Sequence, residues 1–264
     1  MLNEYKNVAV NLIVPSPVNG RSVKGPVLTK WNKNSGETYP IGEFSSNRLL
    51  AALPDGELVR LMPYFQSVTF DCGENVHQPG DSGYFIYFPE TAVFSQISVL
   101  EDGRTVGTAM IGNEGFTGVT AVLKVKKSIV PWVQTLIGGT ALKINACIFK
   151  QEFHRSTVLK TIFFEYLINF INQITQKAVC NQYHLIEERF STWLLMLEDR
   201  REKNNLILTH EQIAYFLGVH RPSVTCIAQN LREKEIINYS RGRISVINRQ
   251  KLETSACECY KVLN

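Results

Sequence analysis

The hydrophobic pattern of this chain changes abruptly near His154, and this change limits the folds that the chain can adopt. Between Phe65 and Phe149, short apolar runs are separated by turns that contain glycine, a pattern that predicts short strands. After His154, apolar residues recur every three or four positions, which predicts helices. We therefore expect an α+β protein in which a strand-rich part precedes a helical part.

The turns of the strand-rich part have the composition of tight hairpins. Asp102-Gly103 lies between two alternating runs, and an Asp-Gly pair favours a hairpin because the turn requires positive φ. Regularly spaced short strands of this kind predict a sandwich or barrel, and no helix is expected within it. The expected strands are Tyr84–Phe88, Val93–Leu100, Thr105–Ile111, Trp132–Ile137 and Ala141–Ile144.

Thr157–Cys180 is expected to form one long helix, roughly 35 Å in length at 1.5 Å per residue. Its apolar positions are too numerous for one packing face. One stripe can pack on the strand-rich part while another faces a second copy of the chain, although such a helix can also belong entirely to the core. The residues assigned to the intermolecular stripe are Leu159, Ile162, Phe163, Tyr166 and Phe170.

The remaining segments complete the expected domain organisation. Residues 1–45 are rich in Asn, Ser, Gly, Pro and Lys, which predicts a loose N-terminal extension. Two short helices are expected between Ser46 and Met62, and another helix at Leu185–Arg200. The expected domains are an extension (1–45), a strand-rich domain (46–153), the long helix (154–182) and a C-terminal domain (183–264).

Composition excludes some classes of protein and favours others. The net charge is +4, and the segment from Arg201 to Lys251 holds nine Lys or Arg against four Glu. Such a local excess suits phosphate binding, although an ordinary basic surface would look the same. No apolar run is long enough to span a membrane, and Met1–Gly20 does not resemble a secretory leader. We therefore expect a cytoplasmic protein with no membrane partner, whose six cysteines are reduced thiols.

No enzyme is expected, since the sequence shows no Gly-rich phosphate loop, nucleophile elbow or metal-spaced His/Cys set. The C-terminal part instead predicts two short helices joined by a glycine turn. Thr209 is an expected N-cap for His210–Leu217, and Gly218 supplies a turn in which left-handed backbone costs little. The second helix is expected to run from Arg221 to Lys234.

Residues 236–247 are expected to form a hairpin around Arg-Gly-Arg, and a hairpin in this place makes the pair a winged helix. The polar outward face of the second helix and the arginines of the hairpin suit base edges and phosphates of double-stranded DNA. A winged helix used only for protein contacts is the alternative, and acidic or apolar outward residues would favour it. The residues expected to contact DNA are Thr209, His220, Arg221, Ser223, Thr225, Cys226, Arg241 and Arg243.

The run LTHEQIAYFLGVHRPSVTCIAQNLREKEIINYSRGRISVINRQKLE resembles the winged helix of Crp/Fnr-type transcription regulators. It is most similar to a subgroup with RPSVT (Arg221–Thr225) in the recognition helix and CECY (Cys257–Tyr260) in the tail. The run YFPETAVFSQISVLEDGRTVGTAMIGNEGFTG resembles the family's cyclic-nucleotide-binding-like β-roll, and the resemblance spans roughly Asn47 to Tyr260.

The resemblance implies a jelly-roll-like β-roll, a long dimerisation helix and a C-terminal winged helix-turn-helix. It implies a homodimer that binds inverted-repeat operators, with RNA polymerase as a further partner if the protein is an activator. By position, Arg221 is expected to read a base and His220 to contact phosphate.

The effector site departs from the family pattern. Cyclic-AMP binders of the family place a Gly-Glu pair and then Arg-Ser around the cyclic phosphate. This chain has Gly112-Asn113-Glu114-Gly115 at the first place and Ile129-Val130 at the second. Lys124, Lys126 and Lys127 do not offer the same bidentate geometry. This departure favours a β-roll kept as a scaffold or for an unknown ligand.

No cofactor and no metal site are expected. No cysteine precedes Cys72, which argues against an iron–sulfur cluster. A lone histidine such as His77 is more often satisfied within the structure than bound to haem. Cys257 and Cys259 are either a redox pair or ordinary thiols near the end of the sequence.

Overall fold

The computed structural model describes residues 45–79, 81, 85–123, 131–200, 206–240 and 242–262, together with the backbone of three strands nearer the N-terminus. These strands, β1 (Asn11–Ile13), β2 (Val27–Trp31) and β3 (Thr38–Pro40), pair as an antiparallel sheet. The composition of residues 1–45 predicts no strand, because elements of three to five residues are too short to show a period.

The strand-rich part contains seven strands among the described residues, and Thr105–Ile111 and Trp132–Ile137 have the bounds expected from sequence. They are β4 (Gln66–Phe70), β5 (Asn75–His77), β6 (Phe85–Pro89), β7 (Val93–Val99), β8 (Thr105–Ile111), β9 (Trp132–Ile137) and β10 (Gly139–Asn145). One antiparallel sheet has the order β4–β10–β6 and the other β5–β9–β7–β8. This arrangement confirms the expected α+β class and the β-roll.

The two sheets share one apolar core. Phe70 of β4 and Ala141 of β10 pack in the same cluster as Phe94 of β7, Ile111 of β8 and Val133 of β9, all at most 7% exposed. The rings of Phe70 and Phe94 meet edge to face with centroids 5.2 Å apart. This contact between the sheets closes the roll.

Ten α-helices lie in the described part of the chain. They are α1 (Arg48–Ala51), α2 (Asp55–Leu61), α3 (Val119–Leu123), α4 (Ala146–Arg155), α5 (Thr157–Tyr183), α6 (Ile186–Glu198), α7 (His210–Leu217), α8 (Arg221–Glu233), α9 (Arg249–Ser255) and α10 (Cys259–Val262). The expectation that no helix lies between Phe65 and Phe149 is wrong, since α3 and the first turn of α4 are there. Asn145 caps α4 by accepting a hydrogen bond from the amide of Cys147 at 2.9 Å, a local signal that its sequence offers.

Helix α5 packs along the roll with one of its faces. Leu159, Phe163 and Tyr166 on that face are 5%, 1% and 7% exposed, and the Tyr166 hydroxyl donates to the carbonyl of Phe116 at 2.9 Å. Ile162 and Phe170 are partly buried against the same core. All five residues assigned to an intermolecular stripe therefore contact the chain's own core. Leu159, Phe163 and Tyr166 are buried there, which corrects their assignment, whereas that of Ile162 and Phe170 stays a prediction.

The opposite face of α5 carries a different apolar stripe. Phe164, Ile168 and Ile171 are 48%, 60% and 59% exposed, and we call these three residues the outer stripe. Thr161 and Thr175 extend it at the same alternating spacing of three and four, which is the a/d spacing of a coiled coil. Periodicity alone could not show which of two adjacent phenylalanines, Phe163 or Phe164, faces inward.

The C-terminal elements pack directly on the roll. Strands β11 (Leu206–Ile207), β12 (Ile237–Ser240) and β13 (Arg243–Val246) form a sheet of order β11–β13–β12 beside α7 and α8. Trp193 of α6 stacks on Phe216 of α7 with ring centroids 6.0 Å apart. A Cβ at Gly107 of β8 would lie 3.0 Å from the Phe216 ring, so the two parts touch closely.

None of the helices in the described ranges has both the length and the apolar character that a membrane crossing requires.

Candidate nucleic-acid interface

The first helix of the pair, α7, begins at the residue that its cap predicts. The Thr209 hydroxyl accepts a hydrogen bond from the amide of Gln212 at 3.2 Å, and the Gln212 side chain accepts one from the Thr209 amide at 2.9 Å. This reciprocal capping box satisfies amides that the first turn leaves without partners. It also fixes the direction in which α7 leaves β11.

The turn between α7 and α8 has the expected geometry. Gly218 has a φ of +65°, and the amide of Val219 returns to the carbonyl of Ala214 at 3.0 Å. Helix α8 then buries Val224, Ala228 and Leu231, each at most 2% exposed. Because these three residues share one face, the opposite face of α8 is directed to solvent.

The outward face of α8 presents the residues expected to contact DNA. His220 and Arg221 are exposed where the helix begins, Cys226 is exposed one turn later, and Ser223 is half-buried between them. The first turn contains no acidic residue, and His220 makes no capping hydrogen bond through its side chain. The positive end of the helix dipole therefore faces solvent beside a guanidinium group, which favours an anion such as phosphate.

Thr225 differs from its neighbours because its hydroxyl is engaged within the protein. It donates to the carbonyl of Arg221 at 3.2 Å and pairs with His210 Nδ1 at 2.8 Å. The His210 ring stacks on Tyr239 of β12 with centroids 4.2 Å apart. Burial lowers the pKa of His210, and the charge of Arg221 lowers it further. The methyl group of Thr225 is the part that remains for a partner.

The wing is a short hairpin whose base is tied to α7. Gly242 has a φ of +75°, and its carbonyl accepts from the amide of Leu208, next to the α7 cap, at 2.8 Å. Arg243 is exposed at the start of β13. Arg241, the second arginine expected at the tip, lies outside the described residues.

Ion pairing separates the basic side chains of this region into two groups. Lys234 pairs with Glu187 at 2.8 Å, and Arg249 pairs with Asp199 at 2.6 Å. Arg221 and Arg243 have no carboxylate partner within the ranges that the structure describes. Their charges are therefore available to an external anion.

A cavity of about 290 Å³ lies between the roll and α5. Burial lowers the pKa of His77 to about 4, so its ring is neutral, and its Nε2 has no hydrogen-bond partner among the described residues. No Lys or Arg is among the described lining residues: His77, Gln96, Ile111, Phe116, Thr117, Gly118, Val119, Thr120, Pro131, Leu167 and Phe170.

Glu114 of the Gly-Asn-Glu-Gly run has a structural partner. Its Oε1 accepts from Arg200 Nε at 2.7 Å, and the Arg200 side chain is 7% exposed. The pair links the roll to the end of α6.

Ile129-Val130 and the three lysines Lys124, Lys126 and Lys127 lie outside the described residues.

The structure also brings together a group of side chains that the sequence analysis did not identify as a site. Cys180, His184, Cys257 and Cys259 have potential ligand atoms that all lie within 4.8 Å of one another. The two halves of this group are far apart in the chain, so their spacing gave no metal motif. The nearest sequence signals are Cys-x3-His at the end of α5 and Cys-x-Cys at the start of α10.

Comparison with known proteins agrees with this arrangement of elements. Residues 188–255 match the family model described as a Crp-like helix-turn-helix domain, which includes α7, α8 and the wing. A comparison with curated protein sequences gave no match.

Solved structures that include regulators of the Crp/Fnr and CRP families share the fold of the chain. One, from Eubacterium rectale, has a TM-score of 0.62 at 17% identity and covers 78% of this chain and 96% of its own. FixK2 from Bradyrhizobium japonicum has a TM-score of 0.61 at 14% identity, with coverage of 73% and 98%. A CRP-family regulator from Thermus thermophilus has a TM-score of 0.60 at 17% identity, with coverage of 72% and 96%. The chain thus has a Crp/Fnr-type fold with a Crp-like helix-turn-helix domain.

Proposed function

We propose that this protein is a cytoplasmic transcription regulator that binds specific DNA sequences as a homodimer. The observation that carries the proposal is the exposed N-terminal end of α8, where Arg221 has no carboxylate partner in the described ranges, beside a wing that carries Arg243. The Crp-like helix-turn-helix domain and the shared fold support it. If the protein activates transcription, RNA polymerase is a further partner.

The proposed contacts divide between bases and backbone. Arg221, Ser223, Cys226 and the Thr225 methyl group face base edges in the major groove. The backbone phosphates are contacted by Thr209, His220, Arg241 and Arg243. Base contacts supply specificity, and phosphate contacts supply affinity that falls as salt is added.

The proposed dimer uses the outer stripe of α5. An apolar stripe at coiled-coil spacing is suited to pack against its own copy across a two-fold axis. Such a dimer presents two α8 helices about 34 Å apart, so the operator is an inverted repeat with half-sites one helical turn apart. In this proposal residues 154–182 form the dimerisation helix between the domains 46–153 and 183–264, and residues 1–45 are an extension. The motifs RPSVT (Arg221–Thr225) and CECY (Cys257–Tyr260) assign the chain to the Crp/Fnr subgroup that carries both.

Selection from a pool of random double-stranded DNA by the purified full chain tests the function. The expected result is an enriched inverted repeat whose affinity falls steeply with salt concentration. Absence of an enriched motif, with weak binding that no sequence improves, would contradict the proposal. That outcome would favour a winged helix that contacts only proteins.

Replacing Arg221 with alanine is expected to weaken binding to the selected site by about 1–3 kcal/mol and to relax preference at one base position. The reason is the loss of a bidentate donor to a base edge. Competition binding with the selected site and its single-base variants measures both effects. Arg232→Ala, which removes an exposed arginine from the other end of α8, is the matched control and should leave the base preference intact.

Arg243→Ala is expected to act differently, because the proposed partner of Arg243 is phosphate. Affinity should fall by a similar factor for all sequences, and the slope of log K against log salt should decrease by about one. If Arg221→Ala left both motif and affinity unchanged, the assignment of base contact to α8 would be wrong.

Cyclic AMP is expected not to be the effector. A cyclic phosphate enclosed in the roll needs a fixed cation. Among the described residues that line the cavity between the roll and α5, none is Lys or Arg. The carboxylate of Glu114 is paired with the guanidinium group of Arg200. Calorimetry with cyclic AMP and cyclic GMP should show no binding in the low micromolar range, and neither nucleotide should raise operator affinity. A low micromolar Kd together with a nucleotide-dependent gain in operator affinity would overturn this expectation.

A further inference from the structure

Three cysteines and one histidine from two distant segments of the chain meet where α5 ends. Cys180 lies in the last turn of α5, and His184 is its C-terminal cap residue. Cys257 lies between α9 and α10, and Cys259 is the first residue of α10. We call these four residues the Cys3His cluster.

Two distances within the Cys3His cluster are close to the edges of a tetrahedral coordination shell. Cys180 Sγ lies 3.6 Å from Cys257 Sγ, and Cys259 Sγ lies 3.4 Å from His184 Nδ1. A Zn–S bond of about 2.3 Å places two sulfurs of a tetrahedron about 3.7 Å apart, and a sulfur–nitrogen edge is slightly shorter. The longest separation between any two of the four donor atoms is no more than 4.8 Å. Small side-chain adjustments would therefore bring all four atoms onto one ion.

The surroundings of the histidine match those of a metal ligand. His184 Nδ1 faces the cysteines, while Nε2 lies 3.2 Å from the carboxylate of Glu258. Histidines that bind zinc generally donate the other ring N–H to a carboxylate or carbonyl, which fixes the tautomer and the ring orientation. Glu258 provides this carboxylate, because its position between Cys257 and Cys259 in the sequence holds it next to the histidine.

Two of the cysteines, Cys257 and Cys259, have donors positioned to stabilise thiolates. Gln176 Nε2 donates to Cys259 Sγ at 3.0 Å. The Thr192 hydroxyl lies 3.1 Å from Cys257 Sγ and accepts from the amide of Cys257 at 3.2 Å, which leaves its own proton for the sulfur. Hydrogen bonds to ligand sulfurs are typical of the second shell of a metal site.

Burial makes the Cys3His cluster closed to solvent. Cys180, Cys257 and Cys259 are 7%, 6% and 0% exposed, and the His184 side chain is 14% exposed. Four protein ligands without an open position are typical of structural zinc sites, whereas catalytic sites keep one position for water. Soft thiolates together with imidazole favour zinc over the oxygen-preferring ions calcium and magnesium.

We propose that Cys180, His184, Cys257 and Cys259 bind one Zn²⁺ ion in a structural site. The ion ties the end of α5 to the start of α10 and the residues just before it, and Thr192 connects the same site to α6. The site thus fixes the C-terminal domain against the long helix. This proposal does not depend on DNA binding.

Metal analysis of the full chain, purified under reducing conditions without a metal-affinity step, tests the site. The expected content is about one zinc ion per chain, falling to near zero in Cys257→Ser and Cys259→Ser. Cys147→Ser, which alters an exposed cysteine elsewhere, is the matched control and should retain the zinc. Replacement of zinc by cobalt should give the absorption of a tetrahedral thiolate site.

Glu258→Gln tests the surroundings separately, because the Glu258 side chain is 76% exposed and its replacement should not prevent folding. We expect zinc affinity, measured by chelator competition, to fall about 10–100-fold. Removal of zinc by a chelator should increase amide hydrogen exchange in residues 256–262 of the wild-type chain.

Three results would overturn the proposal. One is a wild-type chain that takes up neither zinc nor cobalt under reducing conditions. Another is iron or copper in place of zinc, and the third is zinc that Cys257→Ser and Cys259→Ser both retain. A disulfide between Cys180 and Cys257 in the chain as isolated, with no zinc uptake after its reduction, would indicate a redox pair instead.

Discussion

Replacing Ile168 and Ile171 with glutamate is expected to convert the dimer to a monomer and to weaken operator binding by about 100-fold or more. The two side chains are 60% and 59% exposed in the single chain, so their replacement costs the protomer little. In the proposed dimer they lie against their own copies, where buried unpaired carboxylates are strongly unfavourable. Loss of the dimer removes the gain in affinity that comes from binding two half-sites together.

Light scattering at micromolar concentration measures the oligomeric state, and titration of the selected inverted repeat measures the affinity. Asn169→Glu with Asn172→Glu is the matched control, since it adds the same charge at exposed polar positions of the same helix. The control should remain dimeric. A wild-type monomer, or a dimer that persists with both isoleucines replaced, would contradict the proposed interface.

Replacing Phe163 with alanine is expected to lower the free energy of unfolding by about 3–5 kcal/mol. Phe163 is 1% exposed, and its ring lies 5.1 Å from that of Phe116 and 4.8 Å from that of Phe153, centroid to centroid. Truncation would leave a cavity among these rings that the surrounding helices and strands can fill only in part. Urea unfolding of a monomeric background, Ile168→Glu with Ile171→Glu, separates this effect from dimer dissociation.

Phe164→Ala in the same background is the control, because Phe164 is adjacent in sequence and 48% exposed. Phe164→Ala should lower the free energy of unfolding of the monomer much less than Phe163→Ala does. In the wild-type background Phe164→Ala should weaken the dimer. If both alanine variants destabilised the monomer equally, the assignment of the inner and outer faces of α5 would be wrong.

The sequence by itself determined the local elements of the proposed DNA-binding region. Thr209 caps α7, Gly218 makes the turn, and α7 has the predicted bounds because each of these features depends on residues a few positions apart. The bounds of β8 and β9 were predicted for the same reason, since alternation and a flanking turn are local properties.

Tertiary structure alone decided which side chains meet. The period of α5 fits Phe163 and Phe164 equally well, and only packing against Phe116 shows that Phe163 is the inner residue. Thr225 has the sequence position of a base contact, yet its hydroxyl is engaged by His210 from the preceding helix.

The Cys3His cluster shows the same limit over a longer distance. Cys180 and His184 are four residues apart, about one helical turn, and Cys257 and Cys259 are two residues apart. Ordinary pairs of surface residues have the same spacings, so neither half indicates a metal site by itself. The packing of α10 on α5 and α6 places the halves together with donor atoms no more than 4.8 Å apart. The hydrophobic period shows which face of an element is apolar, and a cap shows where a helix begins. Only the packed core determines which distant element covers that apolar face.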